Sequence, residues 1–338
     1  MPNISIICPI YNEEKYIKKC IDSINKQTFP KDNMEIFFVD GMSTDKTRLI
    51  IEEYAKIFSN IHLLVNPNKI VPTALNLGIK NSKGDIIIRI DAHCAYPSNY
   101  ISALVGYLYE LNADNVGCIL NTLPINDSTM CRAIAIASSH PFGVGNSKFR
   151  TGAINIIETD TVPFGCYRRE VFDKIGLFDE ELIRNQDDEF NARLINSGGK
   201  IFLIPNIVVD YFARDNFKKM SRMYYQYGLF KPLVNKKLGK PATGRQFVPV
   251  IFLMGLILGC ILSFFSHYIL FLYLIIIALY VTIGIIIGVK SKIKYNDYKL
   301  IYYLPLTFFI IHVSYGWGFL VGCYKVLFNQ KLIVTTNR

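Results

Sequence analysis

Residues 4–40 read ISIICPIYNEEKYIKKCIDSINKQTFPKDNMEIFFVD, and this stretch decides the fold. Ile4 to Ile10 is an apolar run that stops at the polar Tyr11-Asn12-Glu13-Glu14. Ile17, Cys20, Ile21 and Ile24 follow at the i, i+3, i+4, i+7 spacing of a helix with one apolar face. Glu35 to Val39 is a second strand-like run. Apolar runs without alternation mark strands covered on both faces, as in parallel sheets. The unit then repeats outward. Thr44 to Phe58 reads as a helix, Ile61 to Val65 as a strand, Thr73 to Lys80 as a short helix and Asp85 to Ile90 as a fourth strand. The expectation is an α/β, Rossmann-like domain with a mostly parallel sheet, its ligand at the carboxyl ends of the strands.

Polar residues fall at those ends: Asn12 and Glu13, then Asp40, then Asp91. Carboxylates beside a nucleoside diphosphate require a bridging cation, or contacts to base and ribose. Asp91-Ala92-His93 directly follows a strand, so its side chains belong at the sheet rim. Mg²⁺ or Mn²⁺ held there with phosphate oxygens would neutralise a leaving diphosphate. The plain alternative is that Asp91 caps the segment after it.

The 338 residues are 51% hydrophobic, but the apolar residues are unevenly placed. Gln246 to Val289, 44 residues, contains no Asp, Glu, Lys or Arg. As a helix it would reach ~66 Å, about twice a ~30 Å hydrocarbon core, so it reads as two spans turning near Ser266 and His267. Leu300 to Tyr324 is a third candidate, interrupted by Pro305, Gly316, Gly318 and Gly322, and is either a kinked span or a re-entrant one. The expected organisation is a domain over 1–215, a basic linker over 216–245 and a membrane region over 246–328, with spans near 247–266, 268–289 and 301–324. Tyr224, Tyr225, Tyr227 and Phe230, mixed with Arg222 and Lys231, suggest an interfacial helix in that linker.

No signal peptide is evident, since Met1 to Ile10 lacks a leading basic cluster. Nine Lys or Arg residues against one acid lie between Arg214 and Arg245, and Lys290, Lys292, Lys294 and Lys299 face only Asp297 in the next loop. Basic flanks favour the cytoplasmic side, so the first 245 residues are expected there. The net charge of +10 sits largely beside the spans, where it meets anionic head groups. No basic face interleaved with aromatics argues for nucleic acid. The eight cysteines show no CxxC pair and read as reduced and structural.

Four motifs in order resemble the family-2 glycosyltransferases with the GT-A fold. "SIICPIYNEEKYI" looks like their opening strand and nucleotide loop, and "FFVDGMSTDKT" their second strand and acidic turn. "GDIIIRIDAHCAYP" occupies the place of the DxD motif, and "VPFGCYRREVFDKIGLFDEELIRNQDDEFNARL" that of the acceptor half. The wording "RIDAHCAYP", "NQDDEFNARL" and "YYQYGLFK" is most similar to the succinoglycan-biosynthesis (ExoA-like) branch.

The resemblance implies roles. Pro9, Tyr11 and Glu13 would line the nucleotide pocket with Tyr11 stacked on the base. Asp40 would accept a hydrogen bond from a uracil ring, with Asp45 supporting that turn. Asp91 would contact ribose or metal-bound diphosphate. His93 stands where the family has its principal metal-binding Asp, which leaves the choice between Mn²⁺ and Mg²⁺ open because imidazole suits Mn²⁺ better. Leu75 stands where many relatives carry Arg, and Lys69 is a candidate replacement. Setting Arg193 against the family's Arg makes Asp187 the candidate catalytic base, with Asp188 as the alternative. Glu189 and Arg193 are spaced for a helical ion pair.

The implied activity is inverting transfer from a nucleotide sugar, a UDP-sugar by resemblance, onto a lipid-linked glycan acceptor in polysaccharide biosynthesis. A polyprenyl-phosphate glycosyltransferase is the close alternative. A catalytically inactive membrane scaffold or flippase component is the alternative of another class. A processive synthase is disfavoured, because the QxxRW motif is absent and the only Trp is Trp317.

Overall fold

β1 (Ile4–Ile10) is buried along nearly its whole length, which is why it reads as a continuous apolar run. The computed structural model describes residues 1–332 and divides into two units. The first comprises residues 1–121 and 152–211, the second 122–151 and 212 onward. The segment 122–151, read from sequence as part of the first domain, therefore clusters with the C-terminal helices.

In chain order the elements after β1 are α1 (Ile17–Asn25), β2 (Met34–Asp40), α2 (Thr47–Ile57), β3 (Ile61–Val65), α3 (Val71–Asn81), β4 (Ile86–Arg89), β5 (Cys94–Ala95), α4 (Tyr100–Glu110) and β6 (Asn115–Leu123). Next come α5 (Thr129–Ala137), the single-turn α6 (Pro141–Val144) and α7 (Lys148–Thr151), β7 (Ile157–Glu158), β8 (Cys166–Arg168), α8 (Arg169–Ile175), α9 (Gln186–Asn196) and β9 (Ile201–Phe212). The chain continues through α10 (Phe217–Leu238), α11 (Val248–Ser263), α12 (His267–Tyr295) and α13 (Leu300–Leu327).

The sheet order is β3-β2-β1-β4-β8-β6-β9-β5, with β7 paired to β9. β3, β2, β1 and β4 are parallel, as their apolar runs predict. From β4 outward β8 pairs antiparallel to β4 and to β6, and β5 and β7 pair antiparallel to β9. The expected parallel pattern thus holds throughout the first half of the sheet, and antiparallel pairs enter in the second half. The second half was hidden because its short strands β5, β7 and β8 carry too few residues for a period to show.

The helices pack as their periodicity requires. Ile17, Cys20, Ile21 and Ile24 are the buried face of α1. Pro72 lies in the first turn of α3, where its missing N–H costs no helical bond. Gly78 brings α3 close to β1: a Cβ there would stand 2.5 Å from Cγ2 of Ile7.

The second unit has its own core of Ile134, Ala137, Met220, Tyr224, Leu300, Leu304, Phe308 and Ile311. Asp297, between α12 and α13, accepts from Thr129 Oγ1 at 2.9 Å and pairs with Arg132 at 3.4 Å. Among the described residues, three helical stretches, Gly244–Ser263, α12 and α13, are long and apolar enough to cross a membrane.

Gly78→Ala is expected to destabilise the protein by about 1–3 kcal/mol, since the β-branched Ile7 has little room to give. Thermal unfolding followed by near-UV circular dichroism checks this; an unchanged midpoint would mean the α3–β1 contact relaxes freely.

Candidate active site

The site is built from loops at the carboxyl ends of the four parallel strands. The loop after β1 and the loop after β2 hold each other. Asn12 Oδ1 accepts from the Thr44 amide at 2.8 Å, and the Asn12 amide donates to Ser43 Oγ at 2.9 Å. The Glu13 amide donates to Thr47 Oγ1 at 2.7 Å, and Glu14 Oε2 accepts from the Lys46 amide at 3.0 Å. The next loop is tied in when the Asn66 amide donates to the Asp40 carbonyl at 2.8 Å. Each loop carries a non-glycine residue at positive φ: Asn12 at 54°, Met42 at 64° and Lys69 at 61°. Such conformations cost of order 1–3 kcal/mol and persist only where neighbours over-determine them, as these cross-loop bonds do.

Asp40 and Asp45 do much of that work. Asp40 is fully buried, and its carboxylate accepts from the Ser43 amide at 3.1 Å and from Ser43 Oγ at 2.5 Å, with Arg48 Nε 3.6 Å away. These contacts make Asp40 an anchor of the turn. Asp45 Oδ1 accepts from the Thr47 amide and hydroxyl, and Oδ2 from the Glu14 amide. Partial burial works against its charge, but these hydrogen bonds outweigh it and hold its carboxyl below the usual range. Tyr11 stands 39% exposed at the rim. Pro9, at the end of β1 beside Val39, brings no amide donor to the strand's last ladder positions.

β4 carries the next acid. The turn after it is fixed by Tyr96, whose hydroxyl accepts from the Asp91 amide at 2.8 Å and donates to the Asp91 carbonyl at 3.1 Å. β5 pairs Cys94 with Tyr211, and the His93 ring packs 5.8 Å from that of Tyr211. His93 Nδ1 faces Glu13 Oε1 at 3.7 Å, so the first loop and the DAH turn meet. Lys69 is exposed on its loop, and Leu75 is buried under α3.

Asp187 lies in the first turn of α9, behind Asn185 in a left-handed conformation. α9 is anchored on both sides. Glu189 is buried in a two-pronged ion pair with Arg193, at 2.8 and 3.0 Å, and Arg193 also donates to the carbonyls of Ile175 and Leu177. Asn191, fully buried, accepts from Asn115 at 3.1 Å and donates to Thr161 at 2.9 Å. Asn76 of α3 grips the chain before α9 through both backbone groups of Phe178.

Arg89, the last residue of β4, was not singled out by the sequence. Its Nη2 stands 3.4 Å from Asp91 Oδ1 and its Nη1 3.9 Å from Asp187 Oδ2. Burial alone would weaken the guanidinium's hold on its proton, but the two carboxylates push its pKa up, so the charge stays. A signal was present: "IIIR" places a charge inside an otherwise apolar strand, and buried charges are paired. Asp91, His93, Glu13, Arg89 and Asp187 are thus drawn together, whereas Asp40 and Asp45 serve the loop scaffold.

The described residues contain no group of three His, Cys, Asp or Glu side chains able to hold a metal alone. What Asp91 and His93 offer is a partial donor set of one carboxylate and one imidazole. The carboxylate facing Nδ1 of His93 is what a ligating histidine commonly has behind it. The pair fits a cation whose remaining ligands come with a diphosphate.

The chain matches the profile of Glycosyl transferase family 2 over residues 5–176. It is 32% identical to dolichyl N-acetyl-alpha-D-glucosaminyl phosphate 3-beta-D-2,3-diacetamido-2,3-dideoxy-beta-D-glucuronosyltransferase of Methanococcus voltae, over 95% of this chain and 97% of that one. It is 31% identical to succinoglycan biosynthesis protein ExoA of Rhizobium meliloti, over 66% of this chain and 67% of the relative. Among solved structures, a mannosyltransferase of Pyrobaculum calidifontis determined with GDP-Man and Mn²⁺ superposes with a TM-score of 0.58, at 17% identity, covering 94% of this chain and 87% of that one. That likeness extends the GT-A fold to the site's surroundings. With the mixed sheet, the acids at its rim and the apolar C-terminal helices, these matches show that the chain belongs to glycosyl transferase family 2 and is a membrane-associated glycosyltransferase of glycan biosynthesis.

Proposed function

We propose that the protein transfers a sugar from a nucleotide donor, a UDP-sugar in the first instance, to a lipid-linked glycan, with inversion at the anomeric carbon. The observation that carries this reading is the placement of Asp91 and Asp187 on two arms of one guanidinium, that of Arg89. A displacement reaction needs a donor side, where negative charge departs, and an acceptor side, where a proton is taken. Asp91 with His93 supplies the first and Asp187 the second.

Tyr11 offers a ring to the base, Asp91 and His93 receive the diphosphate, and Glu13 orients His93. Bound there, Mn²⁺ or Mg²⁺ would supply charge neutralisation for the leaving diphosphate. Asp187 takes the proton of the acceptor hydroxyl as that oxygen attacks. Arg89 keeps Asp187 ionised and pointed at the cleft, and the Glu189–Arg193 pair fixes the helix turn that carries it. Asp188, next in the same turn, is the alternative base.

The acceptor reading is supported by the Methanococcus relative, whose name describes a sugar joined in β linkage to the 3-position of a dolichyl phosphate-linked sugar. That name favours a glycan hydroxyl over the lipid phosphate itself as acceptor. The basic flanks of α11 and α12 support a catalytic domain on the cytoplasmic face, with the α11–α12 hairpin crossing the bilayer.

The experiment is a donor screen on detergent-purified protein with membrane lipid extract as acceptor, following nucleotide release from UDP-, GDP- and TDP-sugars with Mn²⁺ or EDTA. Turnover with one donor is expected, lost with EDTA and in Asp91→Ala. Asp187→Asn is expected to lower kcat about 10²–10⁴-fold while donor affinity stays. No turnover with any donor would favour the scaffold or flippase reading.

Arg89→Gln gives a pH test. Arg89 stabilises the ionised base, so its loss leaves the proton bound to higher pH. The acid limb of the kcat profile is expected to move upward. An unmoved limb with uniformly lower activity would reduce Arg89 to a packing role.

A further inference from the structure

α13 is a long apolar helix, yet the order of its contacts differs from that of a span. α11 and α12 form an antiparallel hairpin: Gly259 packs on Tyr273, Tyr273 donates to the Leu256 carbonyl, and the rings of Phe252 and Tyr280 stack at 4.5 Å. The level of Tyr280 on α12 is therefore the level of Phe252 on α11. Along α13, the contacts first move toward the hairpin turn. Ile301 meets Gly288, Pro305 meets Gly284, and His312 meets Tyr280 at 2.8 Å. They then move back. His312 also faces Phe252, Gly316 meets Pro249 and Leu253, and Phe319 meets Phe247.

A helix crossing beside the hairpin would keep advancing toward Ser266. α13 instead reaches no further than Tyr280, nine residues from Val289, or ~13.5 Å into a ~30 Å core. Burial agrees: 56% of its apolar window is buried within the protein, against 6% for α12.

The rest of α13 is paired with α10, in parallel and in constant register. Ser221 bonds to Ser314 at 2.8 Å, Gly318 packs against the Tyr225 backbone, Gly322 against that of Leu229, and Lys236 bonds to Asn329 at 3.2 Å. A Cβ on Gly228, Gly318 or Gly322 would collide with the partner backbone, so the two helices share one depth. α10 exposes Lys218, Lys219, Arg222, Lys236 and Lys237 at its two ends, a distribution suited to the head-group layer. The face of α13 left exposed carries Tyr302, Phe309, Trp317 and Tyr324, spread over roughly 33 Å of helix. A spanning helix gathers such aromatics at its two ends; a helix lying in the interface carries them along its length.

We infer that α13 does not cross the bilayer. It dips beside the base of the α11–α12 hairpin and lies with α10 as a two-helix surface in the leaflet on the catalytic domain's side, its partner being the lipid head groups of that leaflet. The chain crosses twice, and Gln330, just after α13, lies on the same side of the bilayer as Lys83. This rests on the hairpin crossing of the proposed function.

Single cysteines introduced by Lys83→Cys, Ser266→Cys and Gln330→Cys, in a Cys260→Ser, Cys323→Ser background, test it in sealed vesicles with an impermeant maleimide. Lys83→Cys marks the catalytic side. Gln330→Cys is expected to label with Lys83→Cys, and Ser266→Cys only from the opposite side. Gln330→Cys labelling with Ser266→Cys would make α13 a third span and overturn the inference alone. Ser266→Cys labelling with Lys83→Cys would remove the crossing hairpin, and the inference with it.

Discussion

The Arg89 guanidinium stands at the seam of the sheet, and the chemistry of the site depends on where that seam lies. β4 is parallel to β1 on one side and antiparallel to β8 on the other. Its last residue therefore reaches both the loops of the parallel half and the helix that follows the antiparallel strands. Asp91 comes from the first set and Asp187 from the second, and without a cation between them two carboxylates this close would repel. Arg89 offsets that repulsion before any substrate arrives. Its burial prevents it from following solvent, so it is a fixed positive charge that both acids use.

The remainder of the site keeps that geometry rigid. Loops after β1, β2 and β3 exchange side-chain and backbone hydrogen bonds, and three of their residues hold left-handed conformations that isolated loops would abandon. α9 is pinned by Arg193 to the chain after α8 and by Asn191 to the buried network with Asn115 and Thr161. The acids are thus carried on rigid supports, which positions reacting groups with little reorganisation.

Much of this was legible in the sequence where local pattern carries the information. The period of Ile17, Cys20, Ile21 and Ile24 gave α1, and unbroken apolar runs gave the parallel strands. The Glu189–Arg193 pair followed from helical spacing and is present. Long-range relations were not legible. The contacts that Asp40 makes with Ser43 and Arg48 at the end of β2 could not be read from its place at a strand end. The second carboxylate on Arg89, that of Asp187, lies 98 positions later in the chain. Residues 122–151 carry no mark of their association with α13, since their apolar face is short and mixed with serine and glycine.

The proposed reaction is a single displacement in which Asp187, beside Arg89, acts as base and never as nucleophile. The anomeric configuration of the product, read by NMR after reaction with a donor of known configuration, tests this directly. A glycosidic bond opposite in configuration to the donor's is expected. A product retaining the donor's configuration would require a different route and would contradict it.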